Sequence, residues 1–195
     1  MNTREKILDQ ALKLFNERGI EYVGLREIAA VLDLRVGNIT DYFPTKDDLV
    51  HELSIRLGAA NAAVMKGAGG LSLADFYARL GQVMQNHLAY RGLLVSVVHL
   101  MRQNRHLAVS YKETQAARNA SLKSMLASLQ QAGELRKLRK TELDFLVLSI
   151  SLISRFWISE AALSTQDLTD DEQVARYRFL IKNLLAPYKK GMPAA

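Results

Sequence analysis

At four points where an apolar helical period begins, a hydroxyl side chain stands three residues ahead of an acid: Thr45-x-x-Asp48, Ser72-x-x-Asp75, Thr141-x-x-Asp144 and Thr169-x-x-Glu172. Each pattern suits a helix start. The hydroxyl takes an orphaned amide of the first turn, and the acid opposes the positive end of the helix dipole. Stops are as legible, at Gly19, Pro44, the Gly67–Gly70 stretch, Gly92, Gly133 and Pro187. Between starts and stops, apolar residues recur at helical spacing and two-residue alternation is almost absent. The chain is therefore predicted to be all-α, with about nine helices and no sheet.

The first helix, near 3–18, carries Ile7, Leu8, Ala11, Leu14 and Phe15 on one face, and the second, near 25–32, repeats the pattern with Leu25, Ile28, Ala29 and Leu32. Further segments are expected near 35–43, 45–65, 72–90, 93–104, 107–132, 141–163 and 170–186. Three short helices before a long one, then a set of long ones, divide the chain into an N-terminal module over 1–47, a helical body over 48–190 and a tail over 191–195.

The formal charge of +6 points toward nucleic acid, but its distribution does not locate a DNA-binding face. Residues 1–56 hold eight Lys/Arg and ten Asp/Glu, a net −2, whereas the remaining 139 hold eighteen and ten, a net +8. One cluster, Arg136-Lys137-Leu138-Arg139-Lys140, reads as a solvated connection. Without cysteine, disulfides and thiolate metal sites are excluded. The four histidines, at 51, 87, 99 and 106, show no i, i+4 pair, so no metal is expected. No nucleophile–base pair or glycine-rich phosphate loop appears, so neither catalysis nor a cofactor is expected. The longest apolar run, 145–158, contains three serines and an arginine and reads as a buried helix. A cytoplasmic chain with no membrane partner is the expectation.

Residues 25 to 46 suit a helix-turn-helix, in which one short helix is offered to a DNA groove. Asp33 tolerates the positive φ that a tight turn needs, and Ala29 lets the two helices cross closely. Leu34, Ile39 and Phe43 anchor the third helix. Arg35, Asn38, Asp41 and Tyr42 fall on its other side. Gly37 costs about 1 kcal/mol of helix propensity, and its missing side chain would let backbone approach DNA. Pro44 ends the helix, and the amides that follow Thr45, with Lys46, could grip a phosphate. A capped helical hairpin with no ligand has the same spacing.

The stretch 4–53 resembles the DNA-binding domain of the TetR family of bacterial repressors, from "R..IL..AL.LF...G" through "LREIA" to "GNITDYFPTKDDL". The resemblance implies that Arg35, Val36, Gly37 and Asn38 meet base edges or nearby backbone. Tyr42 and Lys46 would hold phosphates, and Arg26 occupies a place from which some members reach the groove. Val36 could pack inward with Ile39 or, if exposed, meet a thymine methyl. Thr40 stands where the family usually has an aromatic, and Gly24 where it has Thr or Ser. Asp41 repels phosphate unless it accepts from a cytosine amino group, and Asp33 replaces the usual turn glycine.

The same resemblance implies that the last two helices pair with their copies in a homodimer. The expected stripes are Leu143, Leu146, Ile150 and Ile153, then Val174, Tyr177, Leu180, Ile181, Leu184 and Leu185. An inducer pocket would lie over 72–132, drawing on Phe76, Met84, His87, His99, Met101, Tyr111 and Gln115, with Arg155 and Trp157 from the eighth helix. A moderately apolar organic ligand suits these residues better than a phosphate or a metal ion. The function implied is a repressor released from a double-stranded, palindromic operator by that ligand. A regulator of the same fold answering to a protein partner or to no ligand, and a helical carrier or enzyme, stand as alternatives.

Overall fold

Helix α1 (Thr3–Arg18) opens where Asn2 accepts the Glu5 amide at 2.9 Å, and ends at Gly19; its predicted face of Ile7, Leu8, Ala11, Leu14 and Phe15 is buried. A 3-10 turn (Ile20–Tyr22) follows, then α2 (Leu25–Val31), α3 (Val36–Thr40) and α4 (Lys46–Met65). The body comprises α5 (Leu73–Ala89), α6 (Arg91–Val95), α7 (Val97–Gln103), α8 (Arg105–Gln131), α9 (Lys140–Leu163) and α10 (Asp170–Leu185), with a last 3-10 turn at Ala186–Tyr188. This computed structural model describes residues 2–66, 71–164 and 167–191, among which no strand occurs. The glycine stop at 67–70, part of the loop before α10 and nearly all of the expected tail lie outside the described residues.

Two apolar cores organise these helices. The first gathers α1, α2, α3 and the beginning of α4, and also takes Leu93, Leu100 and Leu107 from α6, α7 and α8. The second lies among α5, α8, α9 and α10, around Phe76, Leu126, Leu146, Trp157 and Ile181. A border at residue 47 would cut the first core, because Leu49, Val50 and Leu53 of α4 are fully buried in it. Helix α4 thus belongs to both halves. At 1.5 Å per residue its twenty residues span about 30 Å.

Three capping boxes form as the spacing predicts, at Thr45, Ser72 and Thr169. The fourth shifts by two residues. Helix α9 starts at Arg139, whose amide donates to Glu142 at 2.8 Å, and Asp144 instead pairs with Lys123 at 3.2 Å. Glu142 wins because it also binds the guanidiniums of Arg136 at 3.0 Å and Arg139 at 2.8 Å. Hydrogen bonds from Arg136 and Arg139 hold its carboxyl far below the usual range. A single acid therefore engages two of the four basic residues of the cluster, and Arg136 lies 5.0 Å over the Tyr188 ring.

The segment expected near 93–104 is two helices, α6 and α7, that meet at Ser96. Gly92 does not stop a helix; it sits inside α6, where α6 crosses α1. A Cβ there would lie 2.3 Å from the Phe15 carbonyl oxygen. The crossing is sewn by Asn16, which accepts from the Gly92 amide at 2.9 Å and donates to the Ala89 carbonyl at 2.8 Å. Position 92 is thus closed to any side chain.

Candidate functional site

The helix-turn-helix is built by local hydrogen bonding. Asp33 has φ 54°, the one positive value among the described non-glycine residues. With it there, the Asp33 amide donates to Ala30 at 3.3 Å and the Leu34 amide to Ala29 at 2.9 Å, which closes α2 with a Schellman motif. Ala29 is buried at the crossing of α2 and α3. Asn38 caps α3 by accepting the Arg35 amide at 3.1 Å. Regular helix covers only 36–40 of the expected 35–43, but the Phe43 amide still reaches the Ile39 carbonyl at 2.8 Å, so the turn continues to the buried Phe43.

Arg26, Arg35, Gly37, Asn38 and Tyr42 are exposed on this module, and neither arginine has an ion-pair partner among the described residues. Nothing lies within 4 Å of a Cβ placed on Gly37, so no neighbour inside the chain requires a glycine there. Val36 is partly buried against the first core, so the inward packing prevails over full exposure. Thr40 turns its hydroxyl back to the Gly37 carbonyl at 3.1 Å. Lys46 is occupied as well: its ammonium donates to the Ile20 carbonyl at 2.9 Å and ties α4 to the preceding 3-10 turn. At the start of α4 the amide of Asp48 is taken by Thr45, whose hydroxyl binds the Asp48 carboxylate, while Asp47 accepts from Asn104 at 2.7 Å. Two carboxylates at that terminus oppose a phosphate by simple repulsion, so the grip expected there is weakened.

Behind the module, α4, α5, α8 and α9 enclose a cavity of about 340 Å³. Of the expected pocket residues, His87, Tyr111, Gln115 and Arg155 line it. The others do not. Phe76 and Met84 point into the second core, Met101 packs on the first, and His99 is exposed near Glu21. Trp157 is buried behind His87. Sequence reading missed the contribution of α4, through Leu57, Asn61 and Met65, and that of Arg118 on α8. Polar residues at helical spacing along 111–118 hint at the latter, while nothing local marks α4 as a wall.

The polar side of the cavity carries two hydrogen-bonded groups, one around His87 and one around Arg155. Trp157 Nε1–H donates to His87 Nδ1 at 3.1 Å, and the Asn61 side-chain amide lies 3.1 Å from His87 Nε2 and 3.0 Å from the Asn86 amide. An indole only donates, so Nδ1 carries a lone pair and the neutral ring holds its proton on Nε2. In the structure Asn61 Nδ2 faces Nε2 and Asn61 Oδ1 accepts from Asn86 Nδ2, so satisfying that proton requires both amides to be turned over. Burial, and after it the charge of Arg118, depress the His87 pKa to about 3. Arg155 donates to Gln115 at 3.0 Å, while its Nε is buried with no partner among the described residues. Burial also pulls the Arg118 pKa down, and Arg155 adds repulsion.

The expected dimer stripes need correction. Leu146, Ile150, Val174, Tyr177, Ile181 and Leu185 are buried within the chain itself, and Leu143, Ile153 and Leu184 are partly buried against the same core. The fully buried ones are covered from within the chain, whereas Leu143, Ile153 and Leu184 keep part of their surface open. Of the set, Leu180 alone is exposed. The outer apolar face of α9 and α10 consists instead of Phe145, Leu148, Leu152, Phe156, Phe179 and Leu180. Helix α9 is thus apolar on two sides, which also explains why it is long and apolar enough to cross a membrane by length and composition.

Comparison with known proteins agrees with this architecture. Residues 7–53 match the model of bacterial regulatory proteins of the tetR family, and residues 59–192 match a second TetR model described as bacterial transcriptional repressor. The Probable HTH-type transcriptional regulator YttP of Bacillus subtilis is 38% identical over 53 residues, which is 27% of this chain and only 26% of that relative. A TetR-family regulator from Marinobacter aquaeolei VT8 superposes with a TM-score of 0.89 at 24% identity, covering 98% of this chain and 93% of that one. SmeT, solved with triclosan, has a TM-score of 0.70 at 16% identity, with 98% and 93% covered. Having the helix-turn-helix at its N-terminus and matching the family through most of its length, the chain belongs to the TetR family of bacterial DNA-binding transcriptional regulators.

Proposed function

We propose that the protein is a homodimeric repressor that leaves a palindromic operator when a small organic ligand fills the cavity. The observation that carries this proposal is the course of α4. Its first turns are fixed in the DNA-binding core through Leu49, Val50 and Leu53, and its last turns wall the cavity through Asn61 and Met65. A ligand that fits only one tilt of α4 shifts the population between tilts, and with it the spacing of the two α3 helices. The outer apolar face of α9 and α10 supports pairing of two copies, which would set those helices about one DNA turn apart. SmeT in complex with triclosan supports an organic molecule in a fold of this kind. A cavity left between α4, α5, α8 and α9 favours control by ligand over control by a protein partner.

Arg26, Arg35, Gly37, Asn38 and Tyr42 are proposed to face DNA, with Lys46 and Thr40 held mainly for the architecture. The test is selection of bound sequences from random duplex DNA by the wild type and by an Arg35→Ala, Tyr42→Ala variant. Both changes are at exposed positions, so the variant folds. A palindrome enriched by the wild type and lost in the variant is expected. No enrichment from a folded dimer would overturn the proposal.

A further inference from the structure

Among the described residues, no acid lines the cavity described above. Its lining includes Lys66, Arg118 and Arg155 but neither Asp nor Glu. We propose, resting on the reading of this cavity as the effector site, that its ligand is an organic carboxylate, with the headgroup between the guanidiniums of Arg118 and Arg155 and an apolar body against α4 and α5. Arg118 and Arg155 are partly buried, and taking a guanidinium even partly out of water is unfavourable unless a counter-charge offsets it. Arginine cannot escape by losing its proton.

Here the usual partners are engaged elsewhere. Glu160, the nearest acid along α9, lies 3.8 Å from Arg176, and Glu113 on α8 is exposed. Among the described residues the Arg155 guanidinium donates to the neutral Gln115 and lies 5.7 Å over the Phe156 ring, neither of which carries a counter-charge. The two arginines are close enough to repel each other, and Arg118 also disfavours a charge on His87. Local potential is therefore positive and unbalanced on one side of the cavity. The opposite side, with Leu57, Leu80, Val83, Leu122 and Ile150, is apolar. Two arginines in the lining of one cavity can supply the forked donors that a planar carboxylate takes, and the volume, at the low end of the roughly 300–1,000 Å³ usual for ligand sites, suits a compact molecule.

Trp157 supplies the readout, since it is the chain's single tryptophan and touches the cavity through His87. Its fluorescence would be followed as the full-length protein is titrated with decanoate, 4-phenylbutyrate and 1-naphthoate, each against its own carboxamide. At least one carboxylate is expected to bind about tenfold or more tightly than its amide, and Arg118→Gln or Arg155→Gln should bring the pair to within about threefold. Without ligand, either variant should melt at or above the wild-type temperature, because a repulsion has been removed. Amides that bind as well as the acids would overturn the anion proposal and leave the effector cavity standing. If no probe of either series binds, both fail. If Arg118→Gln lowers the ligand-free melting temperature, the guanidinium is structural and the proposal falls.

Discussion

Trp157 donates its indole N–H to Nδ1 of His87 across 3.1 Å, where the cavity wall meets the second core. Burial, and after it the charge of Arg118, holds His87 neutral in the folded chain, as the donated indole N–H requires of Nδ1. Its pKa falls from 6.5 to about 3 in the folded chain. Below pH 6.5 the unfolded chain therefore takes up a proton that the folded one refuses. The stabilisation is complete above that value and drains away as the pH drops toward 3. Denaturant titrations between pH 6 and pH 4.5 should lose stability at a rate approaching about 1.4 kcal/mol per pH unit. In His87→Gln that slope should flatten. Glu142 and Glu172, whose pKa values are lowered from 4.5, add their own acid sensitivity only below that value.

Replacing Gly92 by Ala should be among the most damaging small changes in the chain. The new methyl would meet the Phe15 carbonyl at 2.3 Å, and backbone cannot rotate away as a side chain can. A loss of about 1–3 kcal/mol or more is expected, read as a lower melting temperature. Unfolding monitored by circular dichroism would check it, and an unchanged midpoint would refute the crossing of α1 and α6.

Gly37→Ala should behave in the opposite way. Space around that position is empty, so the substitution should stabilise the folded chain by up to about 1 kcal/mol. If Gly37 exists to let backbone approach DNA, affinity for the selected operator should fall at least about tenfold in the same variant. Melting curves and fluorescence anisotropy on labelled duplex separate the two effects.

The two faces of α9 should respond differently to substitution. Leu152→Lys, at an exposed position of the outer stripe, should leave the monomer folded and raise its dissociation constant until monomer dominates in sedimentation at micromolar concentration. Leu146→Ala, at a fully buried position of the inner stripe, should cost about 2–5 kcal/mol and act on folding.

Legibility in the sequence followed the range of the interaction. The positive φ at Asp33, the small Ala29 beside it and the caps at Thr45, Ser72 and Thr169 depend on neighbours within five residues, and the pattern expressed them. The competition at the start of α9 was harder, since Arg136 and Arg139 recruit Glu142 over the Thr141 pattern. Periodicity marked the apolar faces of α9 and α10 without saying what covers them. Six of the ten residues expected to meet a partner copy are buried in the chain's own core, while Phe145, Leu148, Leu152 and Phe156 are exposed.

Helical class, helix order, the turn of the reading module and its exposed arginines were determined by the sequence alone, because backbone hydrogen bonding, capping and amphipathic spacing are short-range. Where α4 would wall a cavity, which arginines would face it and why position 92 must be glycine were decided only in three dimensions. Those features arise where helices distant in sequence cross, and an empty volume or a 2.3 Å approach belongs to the crossing, not to either helix.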